Sequence, residues 1–67
     1  MGVSYNKLFK LLIDKKIKKT ELAFKANISN GTLAKLSKDE FVSMEVLAKI
    51  CNVLECDICD IVEIAKN

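Results

Sequence analysis

Between Ile17 and Leu36 the chain reads IKKTELAFKANISNGTLAKL, and this stretch constrains the fold more than any other. Leu22, Ala23 and Ala26 stand at i, i+1 and i+4 and so share one helix face. Leu33 and Leu36 form an i, i+3 pair on a second helix. Asn27 falls where the first helix has to stop, and asparagine tolerates the left-handed conformation that ends helices. Ile28 adds an apolar residue to the turn, and Ser29 is placed to cap the second helix. Ala23 is small where two steeply crossing helices come close. The spacing predicts two short helices joined by a tight turn, over about residues 20–37.

The flanking segments continue the helical pattern. A first helix is expected from about Ser4, as a cap, to Lys16, with Leu8, Leu11 and Leu12 inward and Tyr5 and one of Phe9 or Ile13 at the margin. Lys15 and Lys16 suit the negative end of its dipole. Thr20 and Glu21 are expected to open the second helix as cap and early acid, and Asn30–Ser37 to form the third. Residues 37–42 read as a loop. Ser43 caps a fourth helix whose Val46, Leu47, Ile50, Cys51 and Leu54 recur at helical spacing. Asp57 is expected to cap a fifth, with Ile58, Ile61, Val62 and Ala65 on its apolar side. No segment alternates apolar and polar over strand length, so the expected class is all-α with five helices.

That order of small residue, turn residue, apolar turn residue, cap and apolar pair resembles the helix-turn-helix of the phage-repressor family, small bacterial and phage regulators of the Cro and repressor type. The resemblance runs from about Tyr5 to Ala65. It implies a five-helix DNA-binding domain that lays its third helix in the major groove of double-stranded DNA, base edges meeting the N-terminal residues of that helix. Here those are Asn30, Gly31, Thr32 and, one turn later, Lys35. Asparagine can donate to and accept from adenine at once, threonine can offer a thymine methyl its own methyl, and lysine can donate to guanine N7 or O6. Asn-Gly is also a strong turn dipeptide, which is the plainer reading of Asn30 and Gly31. The resemblance further implies phosphate contacts from Lys18, Lys19 and Thr20 at the start of helix 2, from Ser29, and from Lys38 in the following loop. Two features depart from the family pattern. Gly31 lacks a side chain where relatives often carry a contacting one, and Asp39 and Glu40 put acids in a loop that relatives often make basic.

Charge supports the same half of the chain. The net charge of +2 conceals nine Lys against Asp14 and Glu21 in residues 1–38, and Lys49 and Lys66 against seven acids in residues 39–67. The excess is therefore +7 before residue 39 and −5 after it. A basic half suits a phosphate backbone. All eleven basic residues are lysine, so arginine's bidentate grip on guanine is absent.

At 67 residues the chain reads as a single domain, 1–67, near the size at which one core is sufficient without metal or disulfides. No apolar run approaches the roughly 18 residues of a membrane span, and the N-terminus does not read as a signal peptide, so a cytoplasmic protein is expected. There is no histidine, no glycine-rich phosphate loop and no nucleophile beside a visible base, so the chain does not read as an enzyme and no cofactor is expected. Cys51, Cys56 and Cys59 include a C-x-x-C, but zinc wants four ligands and the βαβ context of a redox pair is missing. They read as packing or surface thiols, with redox sensing and metal binding as alternatives. Ile58, Ile61, Val62 and Ile64 give more apolar cover than one inward face needs, and predict a homodimer through the C-terminal region. A second reading is an interaction module, an antitoxin or adaptor, that uses the acidic half to hold a protein partner.

Overall fold

The computed structural model describes residues 2–65. They form β1 (Gly2–Ser4), α1 (Asn6–Lys15), α2 (Lys19–Ala26), α3 (Asn30–Ser37), α4 (Met44–Leu54), a single 3-10 turn at Ile58–Asp60, and β2 (Glu63–Ala65). β1 and β2 pair antiparallel, with Val3 opposite Ile64. Tyr5, Leu8, Leu12, Leu22, Ala26, Leu36, Leu47, Ile50, Leu54 and Ile61 meet in one core, and α2 packs chiefly on α4.

Two expectations are corrected. The all-α, five-helix reading gives way to four α-helices and a small sheet. Asp57 does cap, in a reciprocal box with Asp60, but what it caps is the 3-10 turn. Ile58, Ile61, Val62 and Ile64 are β-branched and lose rotamer freedom in a helix, and a segment this short cannot carry its own nucleation cost. The pairing partner waits at the other end of the chain, so the segment finishes as a strand. For the same reason the cap of α1 falls on Tyr5, one residue later than expected. Ser4 belongs to β1, although its Oγ still accepts from the Asn6 N–H at 3.3 Å.

The helix ends follow one rule. The only residues with positive φ among those described are Lys16, Asn27, Asp39 and Glu55, each just past a helix. The next residue in each case donates its N–H back to a carbonyl of the last turn: Ile17 to Leu12, Ile28 to Ala23, Glu40 to Lys35 and Cys56 to Cys51, all at 2.9–3.1 Å. This is the Schellman closure, usually built on glycine. Here no glycine takes part. Glu55 suffers twice, holding a left-handed backbone and placing negative charge at the negative end of α4. Glu55→Gly is expected to raise stability by about 1 kcal/mol, measured as a higher urea midpoint with unchanged slope.

In the loop after α3, Asp39 has a structural role through its carboxylate and Glu40 through its main-chain carbonyl. Asp39 Oδ1 accepts the Tyr5 N–H at 3.0 Å, and the Tyr5 hydroxyl donates to the Glu40 carbonyl at 2.8 Å. Tyr5 is 1% exposed. Its burial pushes the phenol above its ordinary pKa, with the Val42 backbone opposing and the Asp39 charge adding to the rise. The end of α3 is thus tied to the start of α1.

Candidate nucleic-acid interface

Ser29 positions the interface. Its backbone is extended and its Oγ accepts the Thr32 N–H at 3.1 Å, closing the N-terminus of α3. The same Oγ lies 3.0 Å from Thr32 Oγ1. Either hydroxyl can donate in that pair, and a hydroxyl with two acceptor sites and one proton accommodates both bonds. Asn27 takes the left-handed conformation, φ 56, that the turn requires. Leu36, 0% exposed, is the buried residue that holds α3 to the body, and burying such a side chain contributes about 2 kcal/mol.

At about 100° per residue, the exposed residues Asn30, Gly31, Ala34, Lys35, Ser37 and Lys38 fall on one arc. Leu36 lies opposite, with the half-buried Leu33 and Thr32 on either side of it. Gly31 and Ala34 flank the middle of this arc, with Lys38 on the same line at the C-terminal end and Asn30, Lys35 and Ser37 toward the sides. The centre of the outward face is therefore smooth and its rim is polar. Gly31 is not required by backbone geometry, since its φ is negative and an added Cβ would meet only Ser29 Oγ, at 3.8 Å. Ala34 is the residue that reading by position missed. Its signal was available, because it lies one turn beyond Asn30 and Gly31 on the face that Leu33 and Leu36 leave open.

The start of α2 differs from expectation. Lys18, not Thr20, is the N-cap residue, and its side chain makes no cap hydrogen bond. Thr20 sits inside the first turn, where its hydroxyl is past the capping position. The first backbone N–H groups of α2 are left without a side-chain acceptor, the arrangement that attracts an anion. Lys18, Lys19 and Thr20 are exposed around them. Glu21, the acid nearest this end, is held by Lys25 at 3.2 Å on the helix surface. Lys38, just past α3, is exposed, and its neighbour Asp39, also exposed, gives one carboxylate oxygen to the Tyr5 N–H.

The C-terminal apolar residues separate. Ile61 is 0% exposed and belongs to the protomer's own core, so it is not available to a second subunit. Ile58 and Val62 are half-buried against that core, and Ile64 is 54% exposed. Cys51 and Cys56 are joined in the α4 closure, where the Cys56 N–H donates to the Cys51 carbonyl at 3.1 Å and both side chains are half-buried, while Cys59 is exposed. Burial raises both thiol pKa values, and that of Cys56, also pushed by its neighbour Cys51, reaches about 11. Among the described residues no three metal-ligating side chains converge, and no helix is long and apolar enough to cross a membrane.

Comparison with known proteins bears on this geometry directly. A crystal structure of the transcriptional regulator VanUg is similar to this chain, with 52% sequence identity, a TM-score of 0.95, and coverage of 98% of this chain and 88% of that one. No curated protein matches. Residues 7–67 match the family model of the Cro/C1-type HTH DNA-binding domain. Such a domain acts by binding rather than by catalysis. With the capped turn, the open face of α3 and nearly the whole length covered, this chain belongs to the Cro/C1-type helix-turn-helix family of DNA-binding domains.

Proposed function

We propose that this protein is a sequence-specific transcriptional regulator of the cytoplasm, a repressor whose residues 1–67 form one DNA-binding unit. It binds a short inverted repeat as a homodimer and lays α3 in the major groove. The observation that carries the reading is the outward face of α3, where Asn30 and Lys35 stand exposed beside the smooth centre at Gly31 and Ala34. Asn30 reads adenine, Lys35 donates to guanine or to the backbone, and the Ala34 and Thr32 methyls meet thymine methyls. Lys18, Lys19, Thr20, Ser29 and Lys38 hold phosphates, helped by the open N-terminus of α2. Occupying a promoter is enough to repress it. The similarity to a protein titled transcriptional regulator supports this assignment.

The dimer contact falls on Ile64, with Ile58 and Val62 at its edge, and a two-fold contact suits an inverted repeat. A second reading, an interaction module such as an antitoxin or adaptor, is favoured by the exposure of Phe24 at 87% and Phe41 at 70%. Selection from a randomised duplex library separates the two. Enrichment of an inverted repeat supports the regulator, and weak binding with no enriched motif supports the module.

Two measurements accompany that selection. Lys18, Lys19 and Lys38 should give a salt slope, log affinity against log salt, of about −3 per protomer on duplex DNA and twice that for the dimer. Gly31→Ala should stabilise the free protein by about 0.5–1 kcal/mol, as alanine does within a helix. The same change should weaken binding to the selected site, because the new methyl stands at the centre of the face that approaches the groove. A variant that gains stability and binds equally well would remove close approach from the reading.

A further inference from the structure

Lys19 is held across the junction between α1 and α2. Its Nζ lies 4.6 Å from the centroid of the Phe9 ring. Phe9 is half-buried and packs on the core, and it lines a groove of about 530 Å³ that Lys18, Lys19 and Thr20 also border. Among the described residues Lys19 makes no ion pair, in contrast to Lys25 and Lys49, which are bound to Glu21 and Glu45.

The distinction between ring and carboxylate matters for an anion-binding lysine. A carboxylate fixes an ammonium group and cancels its charge. An aromatic face attracts the ammonium through its quadrupole and leaves the whole positive charge in place. The ammonium has three N–H donors, and a ring face occupies one side of it, so donors remain for a phosphate oxygen. A free lysine loses rotamer freedom when it settles on a phosphate, whereas a lysine already resting on a ring has lost much of it beforehand.

We propose that Phe9 is a positioning residue for DNA binding, holding the Lys19 ammonium at the groove beside the uncapped start of α2 so that it meets a phosphate already ordered and fully charged. The inference rests on Lys19 as a phosphate contact. No base is involved, so the effect is the same on cognate and random duplexes.

The test is a cycle of Phe9→Leu, Phe9→Tyr, Lys19→Gln and the double variant Phe9→Leu/Lys19→Gln, with thermal unfolding of each followed in the absence of DNA. Affinity for a random-sequence duplex is measured over a range of salt. Phe9→Leu is expected to weaken binding about two- to fivefold while keeping the wild-type salt slope, because the charge is still present. Phe9→Tyr, which keeps the ring face, restores binding. In the Lys19→Gln background Phe9→Leu adds no further loss. An equal loss in that background, or wild-type affinity for Phe9→Leu, overturns the proposal.

Lys19→Gln alone tests the premise. It should lower the magnitude of the slope by about 0.9, and wild-type affinity with an unchanged slope would remove the phosphate contact itself. A loss with Lys19→Gln but none with Phe9→Leu removes only the positioning role. The wild-type protein supplies a readout that needs no variant. The ε-methylene protons of Lys19 should be shifted upfield by the Phe9 ring current, and random-coil shifts would overturn the proposal even if the variants were unfolded.

Discussion

Ile61→Ala should destabilise the protein by about 2–4 kcal/mol, the cost of emptying a fully buried branched side chain. Ile61 is 0% exposed and sits in the cluster with Tyr5, Leu8 and Leu54. It enters that cluster between the 3-10 turn and β2, so the vacated space lies under the segment that closes the sheet. The loss should be independent of protein concentration, since it arises within one protomer. Ile64→Asp should behave in the opposite way. Ile64 is about half exposed at a sheet edge, and its replacement should leave the fold of the protomer intact while the proposed dimer dissociates. Chemical denaturation at two protein concentrations, with sedimentation of the folded variants, checks both. If Ile61→Ala changed only the sedimentation, Ile61 would belong to an interface after all.

Asn30→Ala is expected to cost about 1–3 kcal/mol on the selected operator and little on random DNA. Asn30 is the first residue of α3 and is exposed. The cap that organises this end is Ser29, through the Thr32 N–H, so removing the Asn30 amide should leave the helix in place. Thermal unfolding of the free variant should accordingly stay near that of the wild type. Equal losses on operator and random duplexes would show that Asn30 touches the backbone rather than a base. The expected discrimination is modest because α3 carries no arginine and the centre of its outward face is glycine and alanine. Much of the affinity should then come from lysine and phosphate, and the operator should favour A·T pairs with accessible thymine methyls.

The parts of the fold that were legible are those written locally. Ser29 and Ser43 both accept the N–H three residues on, and Asn27 takes the left-handed turn, as their chemistry in that spacing implies. What escaped was non-local. β1 and β2 are three residues each, too short to show alternation, and they find one another from opposite ends of the chain. A capping aspartate followed by isoleucines therefore looked like a helix start. Asp39 is exposed, but its bond to the Tyr5 N–H could not be seen because that partner lies 34 residues earlier. Thr20 has the right side chain for a cap, but the Schellman closure at Lys16 and Ile17 sets the start of α2 and leaves Lys18 in the capping position. Asn30, Lys35, Lys18, Lys19 and Lys38, singled out by residue type, are all exposed in the fold. Ala34 lies one turn beyond Asn30 and Gly31 on the face that Leu33 and Leu36 leave open, so its place was legible in the spacing as well.

Tyr5 is the only tyrosine of a chain with no tryptophan. Essentially all of the intrinsic ultraviolet emission of the protein thus originates from one ring, and the hydroxyl of that ring is bonded to the backbone at Glu40, two residues beyond Lys38. If Lys38 holds a phosphate as proposed, binding should perturb the same short segment that sets the polarity around the phenol. The protein carries its own optical probe at the seam between the recognition helix and the terminal sheet, and its occupancy of DNA can be followed without a label.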